Sequence, residues 1–350
     1  MITSKERGLA PFQGRKMDRF PMWYGGDPQT TQNIMEYLGA KNEKEALHDI
    51  LGIDYVTFRP QYIGPPLRTY EDGTSDNVFG IRRAGYFYGQ AMNHPLKGIE
   101  TLEELAKSGY CFPKSCEWEC RIDKTALAQV QDYCIIGGAW SPFFHDVSEL
   151  FDMEEMMILM YTAPELVKKV TETVFDFYYE QTKRAFEQNP GVIDFLFIGN
   201  DFGSQRALLV SPSHWYEFFG KEIKKMVDLA HKHGAVAGLH SCGDIHQIIP
   251  MLIEMGMDAI NPIQVSAEHM DPVLLKREYG KDIVFFGGID ENRILLHGSE
   301  YEVREETKRI LDILGSDGRY IVATSHDYLL PEVPARNIVA MYDEAKKFGC

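Results

Sequence analysis

The 350-residue chain has no long hydrophobic run and no excess of positive charge. No window reaches the roughly 18 uncharged apolar residues that a membrane-spanning helix needs, and the first residues, MITSKERGLA, lack the apolar core of a signal peptide. Its 36 Lys and Arg residues against 52 Asp and Glu give a net charge of −16, which repels nucleic acid and anionic lipid. We therefore expect a cytoplasmic protein that binds neither nucleic acid nor membranes.

Cysteine is scarce as well. The six cysteines, at positions 111, 116, 120, 134, 242 and 350, are too irregularly spaced for a disulfide framework, so we expect reduced thiols. The first three are separated by four and three residues rather than by the two of a zinc knuckle, which argues against a structural zinc there. With 44% hydrophobic and 25% charged residues, the composition is that of an ordinary globular protein.

Several common catalytic motifs are absent. No GxGxxG follows a predicted strand and no GxxxxGK[ST] occurs, which argues against dinucleotide binding and against a P-loop. GxSxG and HExxH are missing too, so the usual signatures of serine hydrolases and zinc proteases are excluded.

From about residue 131 the sequence alternates short apolar runs with amphipathic stretches of helical period. This pattern is typical of parallel strands joined by helices. Together with two more strands from the first half, these units fit a closed α/β barrel of the (β/α)8, or TIM, type better than an open sheet. The predicted strands are 133–138, 192–199, 235–240, 259–263, 283–287 and 320–324, and the predicted helices are 164–188, 212–233, 244–255, 301–314 and 334–348.

Residues 1–130 are less regular and rich in Gly, Pro and aromatic residues. We predict loops and short strands there, within a single domain that spans residues 1–350 and includes regular units over 131–350. The aromatic part, with Trp23 and Tyr24, is expected to lie over the barrel mouth and to contact substrate. The alternative is that these aromatics only pack on the barrel.

Reactive side chains follow three of the predicted strands. In such barrels the working residues project from the carboxyl ends of the strands, which here carry Asp201, then His240 and Cys242, then His326. Residues i and i+2 of an extended chain point the same way, so His240 and Cys242 can converge on one ion, and imidazole and thiolate favour zinc. Gly243 then lets the chain turn away.

Each of these residues also has a simpler interpretation. Free cysteine is often just buried, and His326 alone suits a substrate-contacting residue as well as a third ligand. Asp201 could complete the metal site or orient a ligand, but it could also cap a turn, as could Asp290.

Six segments, spread over nearly the whole chain, carry a resemblance to a known family. They are DRFPMWYGG (18–26), GAWSPFFHDVSELF (138–151), NDFGSQRALLVSPSHWYEFF (200–219), LHSCGDI (239–245), FFGGIDENRIL (285–295) and ATSHDYLLPEVPARNI (323–338). Together they resemble the uroporphyrinogen decarboxylase superfamily, which implies a (β/α)8 barrel. The superfamily includes the decarboxylase itself and zinc-dependent corrinoid methyltransferases.

The resemblance is stronger to the methyltransferase branch than to the decarboxylase. The family element R-x-P-x-W, here beginning at Arg19, is followed by Tyr24-Gly25-Gly26 instead of the expected arginine, which argues against uroporphyrinogen as substrate. The methyltransferase branch carries H-x-C, matched by His240 and Cys242, and a third ligand that is commonly Cys. Here His326 occupies that position, where the decarboxylase branch also has histidine.

The resemblance implies a zinc-dependent methyltransferase that moves a methyl group between a methylated substrate or thiol and a corrinoid, as in cobamide-dependent methyl transfer or O-demethylation. No D-x-H-x-x-G cobalamin motif occurs, so we expect the corrinoid on a partner protein, and a homodimer is possible. Two alternatives are a metal-free decarboxylase acting on a carboxylated tetrapyrrole and a non-catalytic barrel that binds a corrinoid or tetrapyrrole. The predicted catalytic residues are Asp201 and His326, the zinc ligands are His240, Cys242 and His326, and the substrate contacts are Trp23, Tyr24, Arg206 and Asp290.

Overall fold

The computed structural model describes residues 2–85 and 89–348, so Cys350 lies outside the described residues. In this part of the chain β1, β7, β8, β9, β10, β11 and β12 form one parallel sheet in that order, while β2 pairs with β6 and β3, β4 and β5 form a small antiparallel sheet. The strands are β1 Tyr55–Thr57, β2 Gln61–Tyr62, β3 Ser75–Asp76, β4 Arg82–Ala84, β5 Gln90–Ala91, β6 Trp118–Glu119, β7 Cys134–Gly137, β8 Phe195–Gly199, β9 Val236–His240, β10 Ala259–Asn261, β11 Val284–Phe286 and β12 Tyr320–Ile321.

Residues 21–23 close the sheet into a barrel. Met22 forms a parallel bridge with Val322, next to β12, through hydrogen bonds from Val322 N to Pro21 O and from Trp23 N to Val322 O. On its other side, the amide of Asp54 donates to the Met22 carbonyl at 2.9 Å, next to β1. The predicted TIM barrel is therefore confirmed. As expected, the first half of the chain supplies two of its strands, β1 and the segment 21–23.

The helices surround this barrel. They are α1 Ser4–Gln13, α2 Pro28–Leu38, α3 Leu102–Lys107, α4 Lys124–Ala128, α5 Phe143–Phe151, α6 Met153–Thr162, α7 Pro164–Gln188, α8 Pro212–Trp215, α9 Lys221–Lys232, α10 Ile249–Glu254, α11 Pro272–Tyr279, α12 Glu300–Leu314 and α13 Ala335–Lys347. Short π-helical turns cover Glu45–Ile50, Tyr216–Gly220 and Glu291–Leu295, and 3-10 turns cover Ser115–Glu117 and His246–Ile248. No helix in the described ranges is long and apolar enough to cross a membrane.

Some predicted helices differ from the observed ones. The predicted helix 212–233 contains a π-helical turn, Tyr216–Gly220, between α8 and α9. Four helices, α1 to α4, lie in the part predicted to be irregular, and α1 and α2 are the two longest of them. Both carry start signals: a capping box between Thr3 and Glu6 begins α1, and Asp27 followed by a proline begins α2.

Alternating side chains divide the core into two regions. Phe195 and Phe197 of β8 point into the barrel, whereas Leu196 and Ile198 pack towards the helices. Inside the barrel Phe197 stacks on Phe286, with ring centroids 5.4 Å apart. This aromatic layer fills the barrel interior.

Candidate active site

A cavity of about 600 Å³ is bounded by residues at the carboxyl ends of the strands and by the residues that directly follow the segment 21–23. Trp23 and Tyr24 both line it, as do His240, Cys242 and His326. The floor is aromatic: Phe197 lies 6.0 Å from the Trp23 ring and 6.2 Å from the His240 ring, centroid to centroid. The other lining residues are Gly25, Gly26, Thr31, Glu43, Thr57, Arg59, Arg83, Trp140, Pro142, His145, Glu149, Gly199, Asn200, Asp201, Asp327 and Tyr328.

Three strand ends bring potential metal ligands together. The ligand atoms of Asp201, His240 and Cys242 all lie within 4.8 Å of one another, and so do those of Cys242, His326 and Asp327. Cys242 belongs to both groups. The predicted zinc ligands therefore meet in space around one sulfur atom.

His240 is held with one nitrogen directed at this sulfur. Its Nδ1 lies 2.9 Å from Asn261 Oδ1, and the amide nitrogen of Asn261 donates to the Phe286 carbonyl at 3.2 Å. The amide is thereby oriented so that its oxygen accepts from Nδ1, which makes Nε2 the ring nitrogen that can bind a metal ion. Nε2 lies 3.7 Å from Cys242 Sγ.

That separation fits a tetrahedral zinc ion. With bonds of about 2.0 Å to nitrogen and about 2.3 Å to sulfur, two ligands at the tetrahedral angle stand about 3.5 Å apart, close to the observed distance. The donor set of imidazole and thiolate also suits zinc. The residues present therefore fit a zinc site.

The turn after Cys242 depends on two glycines. Gly243 has φ +83°, and a Cβ atom there would lie 2.3 Å from the carbonyl carbon of Gly203. A Cβ atom on Gly203 would in turn lie 2.8 Å from the Cys242 carbonyl oxygen. The two chain segments can approach this closely only because neither residue has a side chain.

Asp201 links several parts of the site. Its Oδ1 accepts a hydrogen bond from the Cys242 amide at 2.8 Å and lies 3.2 Å from His240 Nε2, while Oδ2 lies 3.5 Å from His145 Nε2. Burial alone would raise the pKa of Asp201, but the hydrogen bonds and charges of His145 and His240 outweigh it and hold this pKa well below its usual value. The carboxylate is therefore ionised.

The pKa values of His240 and His326 are shifted upwards. Burial opposes their charged forms, but the charges of Asp327 and Cys242 and the Asp201 hydrogen bond raise the pKa of His240 well above its usual value. For His326, burial is outweighed by the hydrogen bond and charge of Cys242 and by the charges of Asp327 and Glu291, which raise its pKa to about 9. In the absence of a metal ion, both rings hold a proton that a cation would have to displace.

The structure separates two predicted substrate contacts from this cavity. Arg206 lies exposed on a turn, where its amide donates to Ser204 Oγ. Asp290 is buried and accepts hydrogen bonds from the amide and side chain of Arg293, so it caps the π-helical turn. Neither lines the cavity.

Sequence reasoning missed three residues of the site. His145 lies in α5, the helix that follows β7, and Asn261 ends β10 directly beside His240 in the register. Arg59 lies two residues beyond β1. Asn261 and Arg59 share a position at or just after a strand end, but that signal alone does not distinguish them from other polar residues at such positions.

Comparison with known proteins identifies the family. Residues 93–348 match the uroporphyrinogen decarboxylase (URO-D) family. This chain belongs to the uroporphyrinogen decarboxylase family. The resemblance seen in the sequence is thereby confirmed.

Within this family, full-length similarity extends to methyltransferases. The chain is 22% identical over 376 residues to the methylcobamide:CoM methyltransferase MtbA of Methanosarcina acetivorans, covering 99% of this chain and 98% of the relative. A solved methyltransferase from Methanosarcina mazei has the same fold, with a TM-score of 0.64, 16% identity and 99% coverage of both chains. The URO-D family member described here therefore has methyltransferase relatives over its whole length.

Proposed function

We propose that the protein is a zinc-dependent methyltransferase that moves a methyl group between a small molecule and a corrinoid carried on a partner protein. The single observation that carries this proposal is the 3.7 Å approach of His240 Nε2 to Cys242 Sγ, with Asn261 holding the other ring nitrogen. The full-length similarity to a methylcobamide:CoM methyltransferase supports the same reaction class.

His240, Cys242 and His326 would hold the metal ion. When bound, zinc would supply Lewis acidity, lowering the pKa of a substrate thiol or making a methoxyl oxygen easier to displace. His326 supplies an imidazole where the corrinoid methyltransferases commonly have a thiolate.

Asp201 acts in this proposal as a positioning residue. Its carboxylate holds the Cys242 amide at 2.8 Å and contacts the rings of His145 and His240, so it fixes the ligand-bearing segments relative to each other. It could also occupy the remaining coordination position before substrate binds. Trp23 and Trp140, which line the cavity, keep water away from the reacting atoms.

Methyl transfer from the corrinoid to a thiol forms a sulfur–carbon bond and breaks a cobalt–carbon bond. The thiol loses its proton to solvent, the sulfur forms a bond to the methyl carbon, and the cobalt–carbon bond breaks with both electrons remaining on cobalt. A methylated Co(III) corrinoid thus becomes a Co(I) corrinoid, and the thiol becomes a methyl thioether. In the O-demethylation direction, Co(I) takes the methyl group from an ether oxygen, which then takes a proton.

The decarboxylase alternative is less well supported. A carboxylated tetrapyrrole needs several cationic anchors, but the guanidinium groups on the described cavity lining are those of Arg59 and Arg83. Arg83 already forms an ion pair with Glu149. One unpaired arginine is a poor match for a substrate with many carboxylates.

A methyl transfer assay tests the proposal. The zinc-loaded protein is mixed with methylcobalamin and 2-mercaptoethanesulfonate, and loss of the methylcobalamin absorbance is followed without oxygen. We expect turnover by the wild type and by Cys116→Ser, an exposed cysteine used as the control, and a loss of at least 100-fold in Cys242→Ser. Equal rates in Cys242→Ser and the wild type would refute the proposed site, and a barrel without chemistry would show no turnover with any methyl donor or acceptor.

A further inference from the structure

Arg59 presents an unneutralised positive charge to the cavity. Its Nη1 donates to the Gly138 carbonyl at 3.3 Å, and the guanidinium carbon lies 5.2 Å from the centre of the Trp140 ring. Within residues 2–85 and 89–348, no carboxylate oxygen lies within 4.0 Å of this guanidinium. A carbonyl and an aromatic face partly solvate the cation but do not neutralise it.

The other cation of this kind on the wall is neutralised within the protein. Arg83 forms an ion pair with Glu149. The negative groups nearer the metal ligands are balanced too, since Asp201 contacts two histidines and Asp327 lies 3.5 Å from His326 Nδ1. The charge of Arg59 is thus left for something that enters the cavity.

Burial makes an unpaired charge at this position costly. It lowers the pKa of Arg59 to about 10, and no negative charge among the described residues opposes that effect. A bound anion would remove much of this cost, because ion pairs that form hydrogen bonds with guanidinium are strong in a poorly hydrated site.

Trp140 connects Arg59 to the proposed metal site. Its ring centre lies 5.2 Å from the guanidinium carbon and 5.3 Å from the centre of the His240 ring. A molecule lying along the indole could therefore place one end at Arg59 and the other beside Cys242. Because both groups lie next to the same indole ring, a small molecule is long enough to reach both.

We propose that Arg59 selects a small substrate with an anionic tail, a sulfonate or carboxylate, whose other end carries the thiol or methoxyl group that reacts. This inference rests on the proposed function for the identity of the reacting end, but the anion site itself does not. Arg59 is in this view a specificity-determining residue.

Two ligands that differ only in the anionic group measure how much that group contributes to binding. Calorimetry on the zinc-loaded full chain compares 2-mercaptoethanesulfonate with 2-mercaptoethanol, which has the same thiol without the sulfonate. We expect the anionic thiol to bind at least about tenfold more tightly to the wild type, and this preference to fall to about one in Arg59→Gln. Arg59→Lys should keep part of it, and Arg206→Gln, which changes an exposed arginine outside the cavity, should keep all of it.

A second pair of ligands tests whether the methyl donor, rather than the methyl acceptor, carries the anionic group. 3-Methoxybenzoate and methoxybenzene differ in the same way but carry a methyl donor in place of a thiol. A preference that depends on Arg59 in the thiol pair assigns the tail to the methyl acceptor, and one in the methoxy pair assigns it to the donor. Circular dichroism of each variant verifies that it is folded.

The inference is overturned if the wild type shows no anion preference in either pair, or if folded Arg59→Gln keeps the wild-type preference. Ethanesulfonate, which has no reacting group, separates this outcome from failure of the proposed function. Its binding to metal-free protein should depend on Arg59 whether or not methyl transfer occurs. Arg59-dependent binding without methyl transfer would keep the anion site and refute the proposed reaction.

Discussion

Asn261 accepts a hydrogen bond from Nδ1 of His240 at 2.9 Å and thereby decides which ring nitrogen faces Cys242. The two residues are direct neighbours on adjacent parallel strands, β9 and β10, so the backbone register fixes their separation. The amide of Asn261 cannot rotate freely, because its nitrogen donates to the Phe286 carbonyl of the next strand. Three successive strands thus orient one proposed metal ligand.

Asn261→Ala should weaken zinc binding by about 10- to 100-fold, because His240 would lose the partner that fixes its tautomer and ring orientation. Competition with a chromophoric chelator measures the affinity. Asn93→Ala, at an exposed position outside the cavity, is the control. Unchanged affinity in Asn261→Ala would mean that His240 needs no such support or does not bind the metal ion.

Position 326 tests the composition of the donor set. His326→Ala should lower zinc affinity at least tenfold, whereas His326→Cys should retain zinc, because a thiolate can replace the imidazole as third ligand. His269→Ala, at an exposed histidine paired with Asp244, should behave as the wild type. If His326→Ala binds zinc normally, Asp201 or Asp327 provides the third ligand instead.

Asp54 should be essential for closing the barrel. It is fully buried, forms ion pairs with Arg7 and Arg19, and accepts from the Met22 amide at 2.9 Å. Asp54→Ala would leave Arg19 and the Met22 amide without their carboxylate and Arg7 with Asp18 alone, so we expect a loss of about 3–5 kcal/mol in the free energy of unfolding.

The urea midpoint reports this loss. The control is Asp18→Asn, which removes a half-exposed partner of Arg7 and should cost about 1 kcal/mol or less. A similar small effect in both variants would show that the pairing of residues 21–23 in the barrel does not depend on Asp54.

Asp146 should make stability fall as pH rises. Burial raises its pKa to about 7, despite the opposing hydrogen bond from the Tyr178 hydroxyl, whose oxygen lies 2.6 Å from Oδ2. The folded state therefore holds this proton more tightly than the unfolded chain, in which the pKa is about 3.8. Its favourable contribution is complete below about pH 4 and is lost between about pH 4 and pH 7.

Asp146→Asn should remove this pH dependence and stabilise the protein at pH 8 by on the order of a few kcal/mol, because the amide oxygen still accepts from Tyr178. Thermal melts from pH 5 to pH 8 measure it against Asp132→Asn, an exposed control. A lower melting temperature for Asp146→Asn at pH 8 would contradict the raised pKa.

The barrel could be predicted because its later strands and helices alternate regularly. The predicted helix 164–188 and α7 have the same bounds, since a proline begins it and no break interrupts its apolar stripe. The segment 21–23 is harder to recognise as a strand. Its pairing with Val322 and Asp54 joins segments that are far apart in sequence, and so short an apolar run has no distinct period. Long-range pairing, rather than local propensity, makes it a strand.

The metal ligands could be predicted from residue type and position at strand ends. Their partners could not, because an asparagine such as Asn261 or an arginine such as Arg59 is common in any sequence. Only the register beside His240 gives Asn261 a role. Arg59 is distinguished only by having no carboxylate of the described residues near its guanidinium group. Asp290 shows the converse, because a residue predicted to contact substrate caps a turn and does not line the cavity.

The most direct test of the account is the metal content of the purified full-length protein, measured by elemental analysis for the wild type, Cys242→Ser and the control Cys116→Ser. We expect close to one zinc ion per chain in the wild type and the control, and a near-complete loss in Cys242→Ser. Wild-type protein that takes up no zinc after reconstitution, or Cys242→Ser that retains it in full, would contradict a zinc-dependent methyltransferase at this site.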